Sequence, residues 1–339
     1  MFARRTTTRR LGIIFFCVLA LVALVQGREA AGGTVLKLAH AHTPTESILG
    51  LSATLFADNV RKYTNGSVEI QVFHSGQLGS NEREMAESVR LGVLDMAIVA
   101  SSPVTAFSPL LTLLDLPFIF ENHAHAIRVL DGPIGDKLKQ DLEPKGIVIL
   151  EFWSAGIRNV FNTVKPIRTP DDLKGMKVRV MQTPVYLDTF KALGALPVAM
   201  SPSELYSALQ MGVVEAGEND PASVMTWKWV EVIKYYSLTQ HAYCPMVVII
   251  NAKLFRSFSK DIQQAIQKAG RDGSAHQRPY VEGLWDRAMK RIEEKGVKIN
   301  PVDDINAFRE KVKHVYDKYD KELGGNLIKQ TLDAGRVSK

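Results

Sequence analysis

Three polar side chains fall where strands should end: Arg158 in SAGIRNVFN, Arg179 in KVRVMQTPVY and Asn219 in GVVEAGEND. Val178 and Val180 alternate as a half-buried strand should, with Arg179 between them. Thr183 and Pro184 then read as the cap and first residue of a helix. A guanidinium stays charged at any physiological pH, and its planar fork matches a carboxylate. The free amides and positive end of a helix a few residues on also favour an anion. In open α/β sheets ligands gather outside the carboxyl ends of strands. The three side chains can therefore face one cleft, and anion binding is the chemistry they suggest. One arginine in a strand is more often a surface ion pair; three polar residues at equivalent strand ends weigh against that.

Other candidates carry two readings each. Glu82, opening a helix, either accepts hydrogen bonds from ligand hydroxyls or only complements the helix dipole. Trp153 is either an apolar wall or core, and Asp220 and His241 flank the Asn219 motif. His40 and His42 put two imidazoles on one face of a strand, as a ligand contact from a lip or as a polar strand end; His123 and His125 repeat the spacing. A metal site needs a third ligand with its own orienting partner. No cysteine or carboxylate cluster completes either pair, so no metal and no cofactor is expected. There is no G-x-S-x-G elbow and no Gly-rich phosphate loop, so no catalytic residue is assigned and an exported α/β enzyme is the rival of different class.

The elements that must position these residues alternate. VLKLAHAH (Val35 to His42) reads as a strand, Ser47 to Lys62 as a helix with apolar residues at helical spacing, and Val68 to Phe73 as a second strand after the Asn65-Gly66 turn. That is a βαβ sheet between helix layers. NEREMAESVRLGVLDMA (Asn81 to Ala97) and SPSELYSALQMGVVEAG (Ser201 to Gly217) align without a gap. Each opens with a cap residue and a Glu three positions on, ends its helix in glycine and continues as a short apolar strand. Two such units imply two lobes, although helix-glycine-strand is common in α/β proteins. IVILEFW (Ile147 to Trp153) and CPMVVIINAKLF (Cys244 to Phe255) read as strands leaving and rejoining the first lobe, and a chain that crosses twice makes a hinge. After Ser259 come three helical runs, SKDIQQAIQKAG, GLWDRAMKRIEEKG and DINAFREKVKHVYDKYDKEL, with Leu284, Met289, Ile292, Phe308, Val312 and Tyr316 on the packed side. The expected division is 33–154 with 246–285 as lobe 1, and 155–245 with 286–339 as lobe 2 with C-terminal helices.

The chain has 339 residues, 46% hydrophobic and 23% charged, ordinary for a soluble protein of about two domains at roughly 150 residues each. Residues 1–27 differ. Arg4, Arg5, Arg9 and Arg10 precede the apolar run LGIIFFCVLALVALV, which stops at Gln26, Gly27 and Arg28. This is the pattern of a cleavable secretory signal peptide, and the run falls short of the roughly 20 residues that span a bilayer. Arg9-Arg10 hints at the twin-arginine route. Without the four leader arginines the net charge drops from +6 to +2 (6 minus 4). No lysine-rich patch interleaves with aromatics, so nucleic acid is excluded as a partner. Cys17 lies within the leader and leaves Cys244 alone, a buried small hydrophobe rather than half of a disulfide.

DLKGMKVRVMQTPVYLDTFKALGALPVAMSPSELYSALQMGVVEAGEN, with GQLGSNEREM and LGVLDMA, resembles the extracytoplasmic solute receptors of tripartite ATP-independent periplasmic (TRAP) transporters, the DctP-like family. The similarity covers nearly all of the chain after the leader. It implies a two-lobed periplasmic binding protein of type II-like fold, with hinge strands, that closes on an organic acid and passes it to a sodium-coupled membrane permease. By that resemblance Arg179 grips the ligand carboxylate in bidentate fashion, Arg158 is the arginine after the crossing strand, and Asn219 is the asparagine of the QEN-like motif. A monomer is expected. ENDPASVMTWKWVEVIKYYSLTQH is more similar to receptors for hexuronates, such as glucuronate or galacturonate, than to those for C4-dicarboxylates; a C4-dicarboxylate or keto or hydroxy acid receptor of the same kind, or a protein presenting ligand to a sensor, are the alternatives within the fold. Pro202 stands where the family often has an aromatic, which removes a usual wall of the pocket.

Overall fold

The computed structural model describes residues 33–45, 47–324 and 326–335. The expected leader, residues 1–27, and Cys17 lie outside the described residues. Among the described residues no helix is long and apolar enough to cross a membrane.

Nine strands form one sheet among the described residues: β1 (Thr34–Ala39), β2 (Val68–Phe73), β3 (Met96–Ala100), β4 (Ile147–Asn162), β5 (Lys177–Val180), β6 (Leu196–Ala199), β7 (Ala216–Asn219), β8 (Tyr235–Asn251) and β9 (Lys298–Pro301). Their order is β2-β1-β3-β8-β4-β7-β5-β6, with β9 beside β8. β1, β2 and β3 run parallel in one lobe, and β5, β6 and β7 run parallel in the other. Parallel strands need helical crossovers, which is what the alternating sequence supplies. β4 and β8 pair antiparallel along most of their length and belong to both lobes. The apolar run expected to end at Trp153 continues as strand through SAGIRNVFN to Asn162, so Arg158 lies inside the crossing strand rather than after it.

Register fixes where the cleft lies. Ala100, the carboxyl end of β3, pairs with Met246, which pairs with Trp153; Asn219, the carboxyl end of β7, pairs with Asn159. Between Trp153 and Asn159 only β4 and β8 are present, and they floor the space between two facing sets of carboxyl ends. Within this stretch the ladder slips twice, at Ser154/Gly156 and Arg158/Val160. Gly156, at the first slip, takes φ +118, open to a residue without Cβ.

The helices that open into the cleft are built as the sequence predicts. After α1 (Ile48–Tyr63), α2 (Glu82–Leu91) is capped by the Asn81 side chain, and Gly92 closes it in the left-handed region. α3 (Pro184–Ala192) starts at Thr183 and Pro184. α4 (Pro202–Gln210) has a capping box of Ser201 with Glu204. The carboxyl-terminal region departs from expectation: the first two helical runs are one helix of 35 residues, α5 (Lys260–Glu294), with Pro279 inside it. An interior proline costs about 3 kcal/mol, but tertiary contacts hold this helix on the back of β4. Trp153 Nε1–H donates to the Gly270 carbonyl, and the Gln277 carboxamide bonds both the N–H and the C=O of Ser154. α6 (Ile305–Glu322) buries Phe308 and Val312 as expected.

Candidate functional site

Arg179 is the third residue of β5 and is 1% exposed. Its Nε–H donates to the Met200 carbonyl at 2.9 Å, which anchors the head at the end of β6. Neither Nη donates to any protein group among the described residues, and Nη1 is fully buried without a partner. Burial presses the guanidinium pKa down to about 10, with Glu218 and Glu82 favouring the charge and Arg158 opposing it; it is a cation at neutral pH. Just beyond, the buried Thr183 hydroxyl caps nothing and faces the Asp115 carboxylate instead. The unsatisfied fork of Arg179 opens on the cavity it shares with Glu82, Met181, Gln182 and Ser201.

Arg158 is equally buried but almost fully engaged. Its Nε–H and Nη2–H donate to the two carboxylate oxygens of Glu218, Nη2 also to the Glu218 carbonyl, and Nη1 to Asn219 Oδ1 at 2.8 Å. The ring of Tyr186 lies 5.6 Å from its centre. Burial would raise the Glu218 carboxyl, but the Arg158 charge and the bonds from His241 and Arg158 outweigh it and hold the pKa down to about 2. Behind this pair, His241 Nε2 lies 3.3 Å from Glu218 and Nδ1 lies 2.8 Å from Thr239 Oγ1. Burial keeps His241 below its usual pKa. The neutral ring thus takes the Thr239 proton at Nδ1 and donates from Nε2 to the carboxylate.

The first lobe faces Arg179 with Glu82. This half-buried side chain at the start of α2 shares a cavity of about 20 Å³ with Arg179, Met200, Ser201 and Pro202. Burial lifts its pKa to about 7 against the Ala100 amide and the two arginines. Asp115, also in the first lobe, accepts from Ser102 Oγ through one carboxylate oxygen and turns the other, buried, toward the Thr183 hydroxyl. Burial raises it to about 7 as well.

The remaining candidates separate. Asn219 accepts from Arg158 and from the Asp220 amide, and its own Nδ2 has no protein partner among the described residues. Both oxygens of Asp220 are occupied by Ser223, capping the helix Pro221–Thr226. Trp153 lies under α5 against Gly273 and Phe56, away from the Arg179 cavity. His40 and His42 follow β1 at the cleft edge of the first lobe, both buried, and His74 at the end of β2 joins them. Among the described residues no group of three metal-binding side chains has metal geometry. Cys244 is buried in β8, and burial pushes its thiol up to about 12, which makes it unreactive. Glu218, Asp115 and His74 were missed from sequence; the acid next to Asn219 in GEND was the one available signal.

The sequence model of the bacterial extracellular solute-binding protein family 7, DctP, matches residues 38–322. The 2,3-diketo-L-gulonate-binding periplasmic protein YiaO of Escherichia coli is 36% identical over 282 residues, 82% of this chain and 86% of that protein. The C4-dicarboxylate-binding periplasmic protein DctP of Rhodobacter capsulatus is 30% identical over 301 residues, 87% of this chain and 89% of that protein. The crystal structure of a TRAP periplasmic solute-binding protein of Chromohalobacter salexigens with bound D-glucuronate superposes with a TM-score of 0.85 at 33% identity, covering 88% of this chain and 99% of that one.

Proposed function

This chain belongs to the bacterial extracellular solute-binding proteins of family 7, the DctP family, and from that premise we propose that it captures a small sugar acid, a hexuronate before other acids, with Arg179 receiving the carboxylate. The observation that carries this is the state of Arg179: a buried guanidinium tethered only through Nε, with its two-nitrogen fork unpaired. A buried charge without a partner is costly unless something supplies one. A carboxylate meeting the fork makes charge-assisted bonds of about 1.5–3 kcal/mol each, a large share of the roughly 8 kcal/mol of a micromolar complex. Asn219, through its free Nδ2, and Glu82 bracket the same acid, while Arg158, Asp220 and His241 hold the wall behind it. The buried, unpartnered Ser101 hydroxyl supplies a further site for a ligand hydroxyl, which suits a polyhydroxylated ligand and agrees with the glucuronate-bound relative.

In this account the protein is exported by a cleaved leader, works in the periplasm as a monomer and hands its ligand to a TRAP membrane permease. Lobe 1 comprises 33–154 and 246–285, and lobe 2 comprises 155–245 and 286–339. It performs no catalysis and binds no nucleic acid. Closure follows from tighter ligand binding to the closed than to the open form. The test is a thermal-shift screen of hexuronates, aldonates, dicarboxylates and keto acids followed by calorimetry, since a ligand bound only by the native state raises the melting temperature. Hexuronates should give the largest shift; succinate or malate shifting while glucuronate and galacturonate do not would overturn the ligand assignment.

A further inference from the structure

We propose that His40, His42 and His74 form the subsite for the uncharged, hydroxyl-bearing end of the acid, and that this subsite makes the protein prefer a monoacid to the matching diacid. The inference rests on Arg179 as the carboxylate site. His40 and His42 follow β1 and His74 follows β2, so all three lie just past the carboxyl ends of first-lobe strands. Arg179 lies at the corresponding place in the second lobe, across the floor of β4 and β8. The imidazoles form one cluster, with centroids 6.0 Å apart for His40 and His42 and 4.8 Å for His40 and His74.

The cluster is polar and unsatisfied, with His40 and His42 buried and His74 half-buried. His40 Nδ1 accepts the His42 backbone N–H at 3.1 Å, which places the ring proton on Nε2. That Nε2, His42 Nε2 and His74 Nδ1 are all buried without a partner, whereas buried polar atoms in folded proteins are normally hydrogen-bonded. A sugar hydroxyl, which donates and accepts, satisfies such nitrogens; an aliphatic group does not. The rings also stay neutral. Burial first, then the neighbouring imidazoles, holds His40 down to about 3, and burial holds His42 down to about 4. A second carboxylate brought here would be desolvated beside groups offering no positive charge.

The test uses glucuronate, glucarate, which carries a second carboxylate in place of the C1 hydroxyl end, and glycerate, a three-carbon acid that offers Arg179 a carboxylate without the far end of a hexuronate. By calorimetry the unaltered protein should bind glucuronate at least tenfold tighter than glucarate. His42→Leu should weaken glucuronate at least tenfold while leaving glycerate within about twofold. Equal losses for both acids, or unaltered protein binding glucarate as tightly as glucuronate, would overturn the subsite alone. Failure of all three acids to bind would overturn the Arg179 site and the subsite with it. A measurement independent of any variant is the imidazole ¹⁵N spectrum of the unaltered protein: glucuronate should move the His40 Nε2–H resonance and glycerate should not, and an unmoved resonance at saturation with glucuronate counts against the subsite.

Discussion

Glu218 meets Arg158 along a full edge of the guanidinium, Nε–H to one carboxylate oxygen and Nη2–H to the other, with both side chains almost wholly buried. The two arginines of the cleft therefore differ in kind. Arg158 brings its counter-ion with it and stiffens the wall; Arg179 waits for one. Hence the acid proposed above would meet its positive charge chiefly at one residue.

Glu218→Gln leaves Arg158 buried beside a neutral amide. Removing one member of a buried pair costs about 3–5 kcal/mol, and urea denaturation should read a loss of that size. The double variant Arg158→Met/Glu218→Leu should recover most of it, because neither charge is then stranded.

Arg179→Lys keeps a cation but loses the fork, and calorimetry should show ligand affinity reduced at least tenfold. Arg179→Met should abolish binding and yet raise the melting temperature of the empty protein, by the equivalent of about 1 kcal/mol or more, since an uncompensated buried charge is removed. An empty protein destabilised by Arg179→Met would contradict an unpaired guanidinium.

Two glycines of α5 should respond oppositely to alanine. A Cβ at Gly273 would lie 2.6 Å from the Trp153 ring, an overpacking that costs about 1–3 kcal/mol. At Gly283 no heavy atom lies within 4 Å of the added Cβ, and Ala there should stabilise by up to about 1 kcal/mol through helix propensity. Chemical denaturation of the two variants side by side reads both signs.

Stability should respond to pH through the buried histidines. His42 has its pKa lowered to about 4 in the folded protein by burial, and His40 lower still, so between pH 4 and about 6.5 the unfolded chain binds more protons. Their contribution is present above pH 6.5 and is lost as pH falls, by up to about 1.4 kcal/mol per unit per group. Glu82 and Asp115, raised to about 7 mainly by burial, act in the opposite sense: the stability they confer below their unfolded values is lost as pH rises through 7. Relative to the unaltered protein, His40→Gln/His42→Gln should therefore gain stability as the buffer is taken from pH 6.5 to 4.5, measured by urea midpoints at each pH.

Much of this arrangement was legible in the sequence because it depends on local pattern. Arg179 between two valines, Thr183-Pro184 after it, and the Ser201 and Asn81 caps each declare their backbone state within a few residues. Glu218 was not legible in that way: its partner is 60 positions earlier, and only the antiparallel register of β4 against β7 brings the two together. The unbroken course of α5 through Pro279 was hidden for a similar reason. The proline signals a break locally, and the contacts that override it come from Trp153 and Ser154 on a distant strand.

The pairing of Met96–Ala100 with Met246–Ile250 governs the order in which the molecule can be assembled. A chain emerging amino end first has β1, β2 and β3 in hand long before β8 arrives, and until then β3 presents a naked apolar edge. The first lobe must wait for the second to be synthesised and threaded back, a demand of the kind that slows folding. A fragment ending before Tyr235 would accordingly be left sticky along both β3 and β4, so this receptor comes whole or not at all.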